Sequence, residues 1–185
     1  YIKAQAASKK WDLDTEIKRR YISLLGDAEL DEGSVWEAIA EPTMSNLDDV
    51  IWVVDLNRQS LDRVIPGIRV GAWGKMFSAN GWTVINAKYG SKLTKAFKLP
   101  NGDLFRETID QMPNELYQRL LRVSGKELRE WLPRSSNDKD ILKKFTSQWD
   151  DNELQELFRN LGGHDFTSLR TSFNKADKSK GPAVI

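Results

Sequence analysis

Two short apolar runs constrain this chain more than any other feature: Tyr21-Ile22-Ser23-Leu24-Leu25 and Val50-Ile51-Trp52-Val53-Val54. Both are nearly continuous, rich in β-branched and aromatic residues, and end abruptly in polar ones. That is the pattern of strands buried on both faces of a parallel sheet. The segment between them is long enough for one crossover helix, so the two strands are expected side by side and parallel, about 4.8 Å apart. The expected fold class is therefore α/β, a parallel sheet with crossover helices. Asp27 follows the first run and Asn57 follows the second, thirty residues later. Both emerge at the carboxyl edge, where open parallel sheets bind ligands. Magnesium is usually held by one or two carboxylates and completes its octahedron with phosphate and water oxygens. Asp27, the Asn57 amide and a backbone carbonyl just beyond it suit such an ion.

The run Leu25-Gly26-Asp27-Ala28-Glu29-Leu30-Asp31-Glu32 resembles the Leu-Gly-Asp-Gly-Glu-Met-Asp-Glu signature of a thiamine diphosphate family. That family is the decarboxylating first component of homodimeric pyruvate dehydrogenase complexes, within the transketolase-like group. Asn57-Arg58-Gln59-Ser60-Leu61-Asp62 is similar to its Asn-x-Gln-x-Leu-Asp run, and Asn80 to Ile85, Gly162-Gly163-His164-Asp165 and Phe173 to Ile185 match further on, in the family's order. The resemblance implies that Asp27 and Asn57 ligate the metal by side chain and Gln59 by its backbone carbonyl. It places Gly26, Ala28 and Glu29 at the diphosphate, and makes Glu32 the acidic residue that couples two cofactor sites near the dimer interface. The implied cofactors are thiamine diphosphate and Mg2+. The implied reaction is decarboxylation of a small 2-oxo acid with acyl transfer to a lipoyl acyltransferase partner, in a homodimer. Two other readings stand beside it: a transketolase moving two-carbon ketol units between sugar phosphates, and a non-catalytic α/β interaction domain. The Leu-Asp after Gln59 and the Gly162 to Asp165 segment favour the dehydrogenase.

Three positions depart from the family pattern. Ala28 replaces a Gly, which α or β backbone tolerates and a φ > 0 turn does not. Asp55 replaces the usual Asn and adds a carboxylate beside a phosphate-bearing ligand. Leu128-Arg129-Glu130-Trp131-Leu132 matches a mobile inner loop whose histidine aids the lipoyl partner, and Trp131 cannot shuttle protons. The family's aminopyrimidine-activating glutamate and its upstream histidines have no counterpart here. The chain, opening at Tyr1 and closing on the strand-like Pro182-Ala183-Val184-Ile185, is expected to be an inactive piece of a larger polypeptide.

Composition narrows the classes. With 185 residues and 39% hydrophobic content the chain can bury a core. A net charge of +1 argues against nucleic acid as a partner. No run reaches transmembrane length and no signal peptide opens the chain, so no membrane partner is expected. Zero cysteines exclude disulfides and thiol chemistry and accord with a cytoplasmic setting. Residues 1–185 are read as part of one diphosphate- and metal-binding domain, with a helical segment at about 103–178.

Along the chain, Ser34 with Glu37 has the capping-box pattern, so a helix is expected from Ser34, presenting Val35, Ile39 and Met44 to the sheet, with Pro42 forcing a kink or an early stop near Ala40. Residues 58–70 read as a loop over the site, 72–79 as a helix ended by Asn80-Gly81, and 82–87 as a third strand. Helical spacing recurs over 104–112, 114–123, 126–132, 139–145, 152–161 and 167–178, with the run Asp150-Asp151-Asn152-Glu153 capping one of these and Asp165 the last. Pro133 to Asp138 is the candidate mobile lid. The seven Trp residues are assigned to packing and His164, the single histidine, to backbone hydrogen bonding at the mouth of a helix.

Overall fold

The computed structural model describes residues 20–56, the backbone of 59–60 and 63–64, and residues 70–185. Its centre is a four-stranded, all-parallel sheet in the order β1-β2-β6-β5. Strand β1 is Tyr21–Gly26, β2 is Val50–Asp55, β5 is Thr83–Val84 and β6 is Ala183–Val184. A separate antiparallel pair, β3 (Gln59–Ser60) and β4 (Arg63–Val64), follows β2. The expected parallel pairing of the two apolar runs is present in full register, from Tyr21 opposite Val50 to Gly26 opposite Asp55. Within the tail, Ala183–Val184 form the strand β6, and it occupies the middle of the sheet. Ala183 pairs with Ile51 on one side and Thr83 on the other.

Side chains alternate across the sheet, so each face acquires its own core. Helices α1 (Gly33–Ala40) and α2 (Val70–Ala79) cover one face, where Ile39, Leu47, Val50, Phe77, Trp82 and Val184 are buried together. Its centre is aromatic: Trp52 lies 4.9 Å from Trp82 and Phe77 lies 5.4 Å from Trp82, centroid to centroid, in tilted and edge contacts. Helix α9 (Phe166–Ala176) covers the other face through Ala176 and Phe173, over Ile51, Ile85 and Ala183. Burial on both faces holds for β2 but not for β1. As an edge strand, β1 carries Ile22 and Leu24 on the α9 face, beyond that helix's reach, and they are 52% and 78% exposed.

Between β5 and α9 the chain makes a helical excursion. It comprises α3 (Ser91–Ala96), α4 (Gly102–Gln111), α5 (Asn114–Leu120), α6 (Gly125–Trp131), α7 (Lys139–Thr146) and α8 (Asp151–Phe158). A separate core holds it together, with Leu93, Phe105, Ile109, Leu120, Leu128 and Leu154 fully or almost fully buried. Arg129 clamps three elements: its guanidinium bonds Asp151 Oδ1 at 2.6 Å and the carbonyls of Thr146 and Trp149 at 3.0 and 2.6 Å.

The excursion leaves and returns through one neck. Tyr89 bridges to Leu161, Gly90 N–H donates to the Asn160 carbonyl at 2.7 Å, and Gly162 N–H donates to the Lys88 carbonyl at 3.2 Å. Glycine is obligatory at Gly162, since a Cβ would stand 1.9 Å from the Ala87 carbonyl oxygen. Asp165 ties the neck together, accepting from Ser91 Oγ, Asn160 Nδ2 and the α9 N–H of Ser168. Those three bonds, the Ser168 N–H foremost, hold its carboxyl well below the usual carboxylate range.

Several expectations need correction. Helix α1 starts one residue before Ser34, and no side chain caps it, because the chain arrives there straight out of a 3-10 turn. The third strand is two residues long rather than six. The stretch assigned as a lid is a packed connection: Leu132–Ser135 form a 3-10 turn, Pro133 and Ser136 are buried, and Asp138 caps α7 by accepting from Ile141 N–H at 3.0 Å.

Candidate functional site

The β1–β2 register decides where chemistry can gather. Because Gly26 is opposite Asp55, the residues after each strand emerge side by side at the carboxyl edge. After Gly26 the chain turns through a 3-10 segment, Asp27–Asp31, whose period of three puts residues 27 and 30 on the same side. Asp27 and Leu30 accordingly point inward, 6% and 2% exposed, while Ala28, Glu29, Asp31 and Glu32 face out. Two anchors fix the turn. Leu30 is sunk in the sheet core, and Trp36 Nε1 donates to the Leu30 carbonyl at 2.7 Å. The strand β3 lies against this same turn, which brings the Gln59 backbone to it.

The individual positions follow from this frame. Asp27 is a buried carboxylate one residue past the strand end. Ala28 has negative φ, since Asn101 is the one non-glycine residue with positive φ among the described residues. The replacement of glycine there therefore carries no backbone penalty. Gly26 is extended, φ −76° and ψ 155°, and a Cβ on it would meet only Glu29 Oε1, at 3.8 Å. Neither its conformation nor its contacts with the described residues demand glycine here. Glu29 folds back so that Oε1 accepts the Gly26 N–H at 3.3 Å. Glu32 is exposed between the turn and α1, its N–H donating to the Glu29 carbonyl at 3.1 Å. Asn57 lies outside the described residues, and of Gln59 only the backbone is described.

From Tyr21 to Asn57 there are nine acidic residues and no Lys or Arg. Among the described residues no three His, Cys, Asp or Glu side chains gather as a metal centre.

The remaining motif positions lie elsewhere. His164 is exposed in the short turn Gly162–His164, its N–H bonded to the Leu161 carbonyl at 3.1 Å, as expected for the mouth of a helix. Trp131 ends α6, half-buried between the guanidinium groups of Arg119 and Arg134 at 4.9 and 4.7 Å from its ring. Its neighbours Leu128 and Leu132 are fully buried, so the stretch likened to a mobile inner loop is a packed helix end. At the neck, Asp110 receives Tyr89 Oη and Lys88 Nζ. Burial first, then that bond to Asp110, pushes the Tyr89 hydroxyl far above its ordinary range.

Comparison with known proteins gives a consistent result. The chain is 26% identical over 170 residues to the pyruvate dehydrogenase E1 component of Escherichia coli K12, covering 91% of this chain and 19% of that protein. It is 28% identical over 178 residues to the E1 component of Buchnera aphidicola subsp. Schizaphis graminum, and 26% over 167 residues to that of Corynebacterium glutamicum. The chain is similar to one segment of pyruvate dehydrogenase E1. It spans about a fifth of the length of these E1 relatives, and nearly all of it takes part in the match. No protein-family model matches the chain. The likeness to E1 and the parallel α/β sheet agree with the family resemblance drawn from the Gly26–Glu32 motif. No helix among the described residues is long and apolar enough to cross a membrane.

Proposed function

We propose that the carboxyl edge of β1 and β2 is the metal and diphosphate half of a thiamine diphosphate site. The enzyme it serves decarboxylates a 2-oxo acid and passes the acyl unit to a lipoyl-bearing acyltransferase, acting as a cytoplasmic homodimer. The observation that carries this reading is the buried Asp27 carboxylate directly beyond Gly26, in register with the end of β2.

The residues present fit such a group. Asp27 supplies the carboxylate for Mg2+, and Asn57 with the Gln59 backbone carbonyl supplies the further protein ligands. Leu30 and the Trp36 bond hold the turn rigid, so the Asp27 oxygen keeps its place at the sheet end. Glu32, exposed at the end of the turn, is where a second subunit reaches the site and couples it to its own. Thiamine diphosphate, when bound, supplies the electron sink that lets a 2-oxo acid lose carbon dioxide.

Calorimetric titration of the intact gene product with magnesium and thiamine diphosphate tests this. Binding heat that is lost in Asp27→Asn, with carbon dioxide released from pyruvate, is the expected result. Ketol transfer between sugar phosphates without carbon dioxide release would make the protein a transketolase. Absence of binding heat at millimolar cofactor would leave the non-catalytic α/β interaction domain.

A further inference from the structure

We infer that the groove between α2 and the outer edge of β5 holds an extended acidic segment of a partner protein, which adds a strand to β5 and sets a carboxylate on Lys75. The groove lies at the opposite margin of the sheet from β1, so it stands apart from the cofactor reading.

Strand β5 closes the sheet on that side, with β6 as its neighbour. Thr83 N–H donates to the Pro182 carbonyl and Ile85 N–H to the Val184 carbonyl, both at 2.8 Å. Successive residues of a strand turn their backbone groups to opposite sides. Val84 therefore presents its N–H and C=O outward, where no strand pairs with it among the described residues. An unpaired edge of this kind is a template for another extended chain.

Helix α2 forms the other wall. Gly71, Gly74, Lys75 and Ser78 recur at spacings of three and four, which puts them on one side of the helix, and with Val84 and Asn86 they line a groove of about 610 Å³. Small residues give it width. Among the described residues a Cβ on Gly71 would meet nothing within 4 Å, and one on Gly74 would touch Val84 Cγ1 at an ordinary 3.7 Å. Glycine inside a helix lowers its stability, and packing among the described residues does not require it at Gly74. What it provides is room for a further chain beside Val84.

The lining selects the occupant. Its polar side chains are the Lys75 ammonium, the Ser78 hydroxyl and the Asn86 amide, and no acidic residue lies among them. Lys75 is exposed and makes no ion pair among the described residues. An acidic chain is thus accepted here and repelled by the Tyr21–Asn57 segment, which is acidic without a basic residue. A second copy laid symmetrically on the same face would bring Lys75 against Lys75, which disfavours it.

The test uses the intact gene product and three fluorescein-labelled hexapeptides: alternating valine and aspartate, alternating valine and lysine, and the aspartate peptide with its backbone N-methylated. Anisotropy titration should show the first bound about tenfold or more tightly than the other two. Residue-resolved hydrogen exchange should show Val84 gaining protection on binding, with Thr83 and Ile85, already bonded to β6, unchanged. Lys75→Glu, at an exposed position, should weaken the aspartate peptide about tenfold and strengthen the lysine peptide. Gly74→Leu, which narrows the groove, should abolish binding of both, and an unchanged melting temperature is expected to exclude misfolding. No binding at millimolar aspartate peptide overturns the proposal, as do equal affinity for the aspartate and lysine peptides and indifference to Lys75→Glu. A Val84 amide already protected in the free intact protein overturns it as well, because another part of the polypeptide then fills the groove. Self-association in sedimentation that Gly74→Leu removes and the peptide does not compete overturns it in favour of a second copy.

Discussion

The sheet unit and the helical excursion solve the burial problem in opposite ways. In the sheet unit the core is assembled from distant segments: β6 comes from the last residues of the chain yet separates β2 from β5. Among the described residues no strand pairs with the outer margin of β1, and Ile22 and Leu24 are exposed. The excursion from Ser91 to Asn160 is built from neighbours in sequence, capped helix by helix, with Ser124, Asp138 and Asp150 each accepting a backbone N–H of its own helix. It then closes on itself at the neck. The candidate metal and diphosphate residues sit on the unit whose contacts are long-range, and of the family-like motifs the excursion carries only the Leu128–Leu132 stretch.

The largest effect that would sharpen this division is Ala183→Asp. It places an unpaired charge at a position with no exposed surface, in the centre of the sheet, and should cost about 3–5 kcal/mol. Hydrogen exchange should then report collapse of β1, β2 and β5 protection while the excursion helices keep theirs. Phe105→Ala is the mirror experiment: a cavity in the excursion core of similar cost, about 3–5 kcal/mol, with the protection pattern reversed. Equal loss in both units from either change would break the comparison.

Asp165→Ala addresses the neck and should cost about 1–2 kcal/mol by removing an N-cap and its two other bonds. The carboxylate titrates lower in the folded chain than in the unfolded one. Its stabilisation is therefore fully present above about pH 4 and is lost as pH falls from there through the folded value. Thermal unfolding of wild type and variant at pH 6 and at pH 2.5 should show the gap narrowing on acidification. The smallest effect, about 1 kcal/mol, is expected for Trp36→Phe, which keeps the ring and deletes the bond to the Leu30 carbonyl. Its readout is magnesium affinity of the intact protein, which should fall because Asp27 loses its brace.

What was legible in the sequence follows the same division. The pairing of the two apolar runs could be read because strand ends and spacing are local signals joined by one crossover. The caps at Asp150 and Asp165 could be read because a side chain and its backbone partner lie three residues apart. The exposure of β1 could not, since Ile22 and Leu24 look like any buried alternation until the strand order shows them at an edge. Helix α3 escaped notice because its six residues are too few for a periodic signal. At the site, Asp27 was proposed by motif, and the negative φ at Ala28 meets the condition under which that replacement is tolerated. The alignment of Asp55 with Gly26 needed the register, and the contact of Glu29 with Gly26 needed coordinates.

The central place of β6 has a consequence for biogenesis. A ribosome delivers β2 roughly 130 residues before β6, which at about 5–20 residues per second is a wait of several seconds or more. During that interval the whole helical excursion emerges and can settle on its own, while the nascent β1–β2 pair waits with its inner edge unzipped. The edge that would hold the cofactor is thus among the last parts of this chain to mature, and a chaperone that shields β2 during elongation would have its greatest effect there.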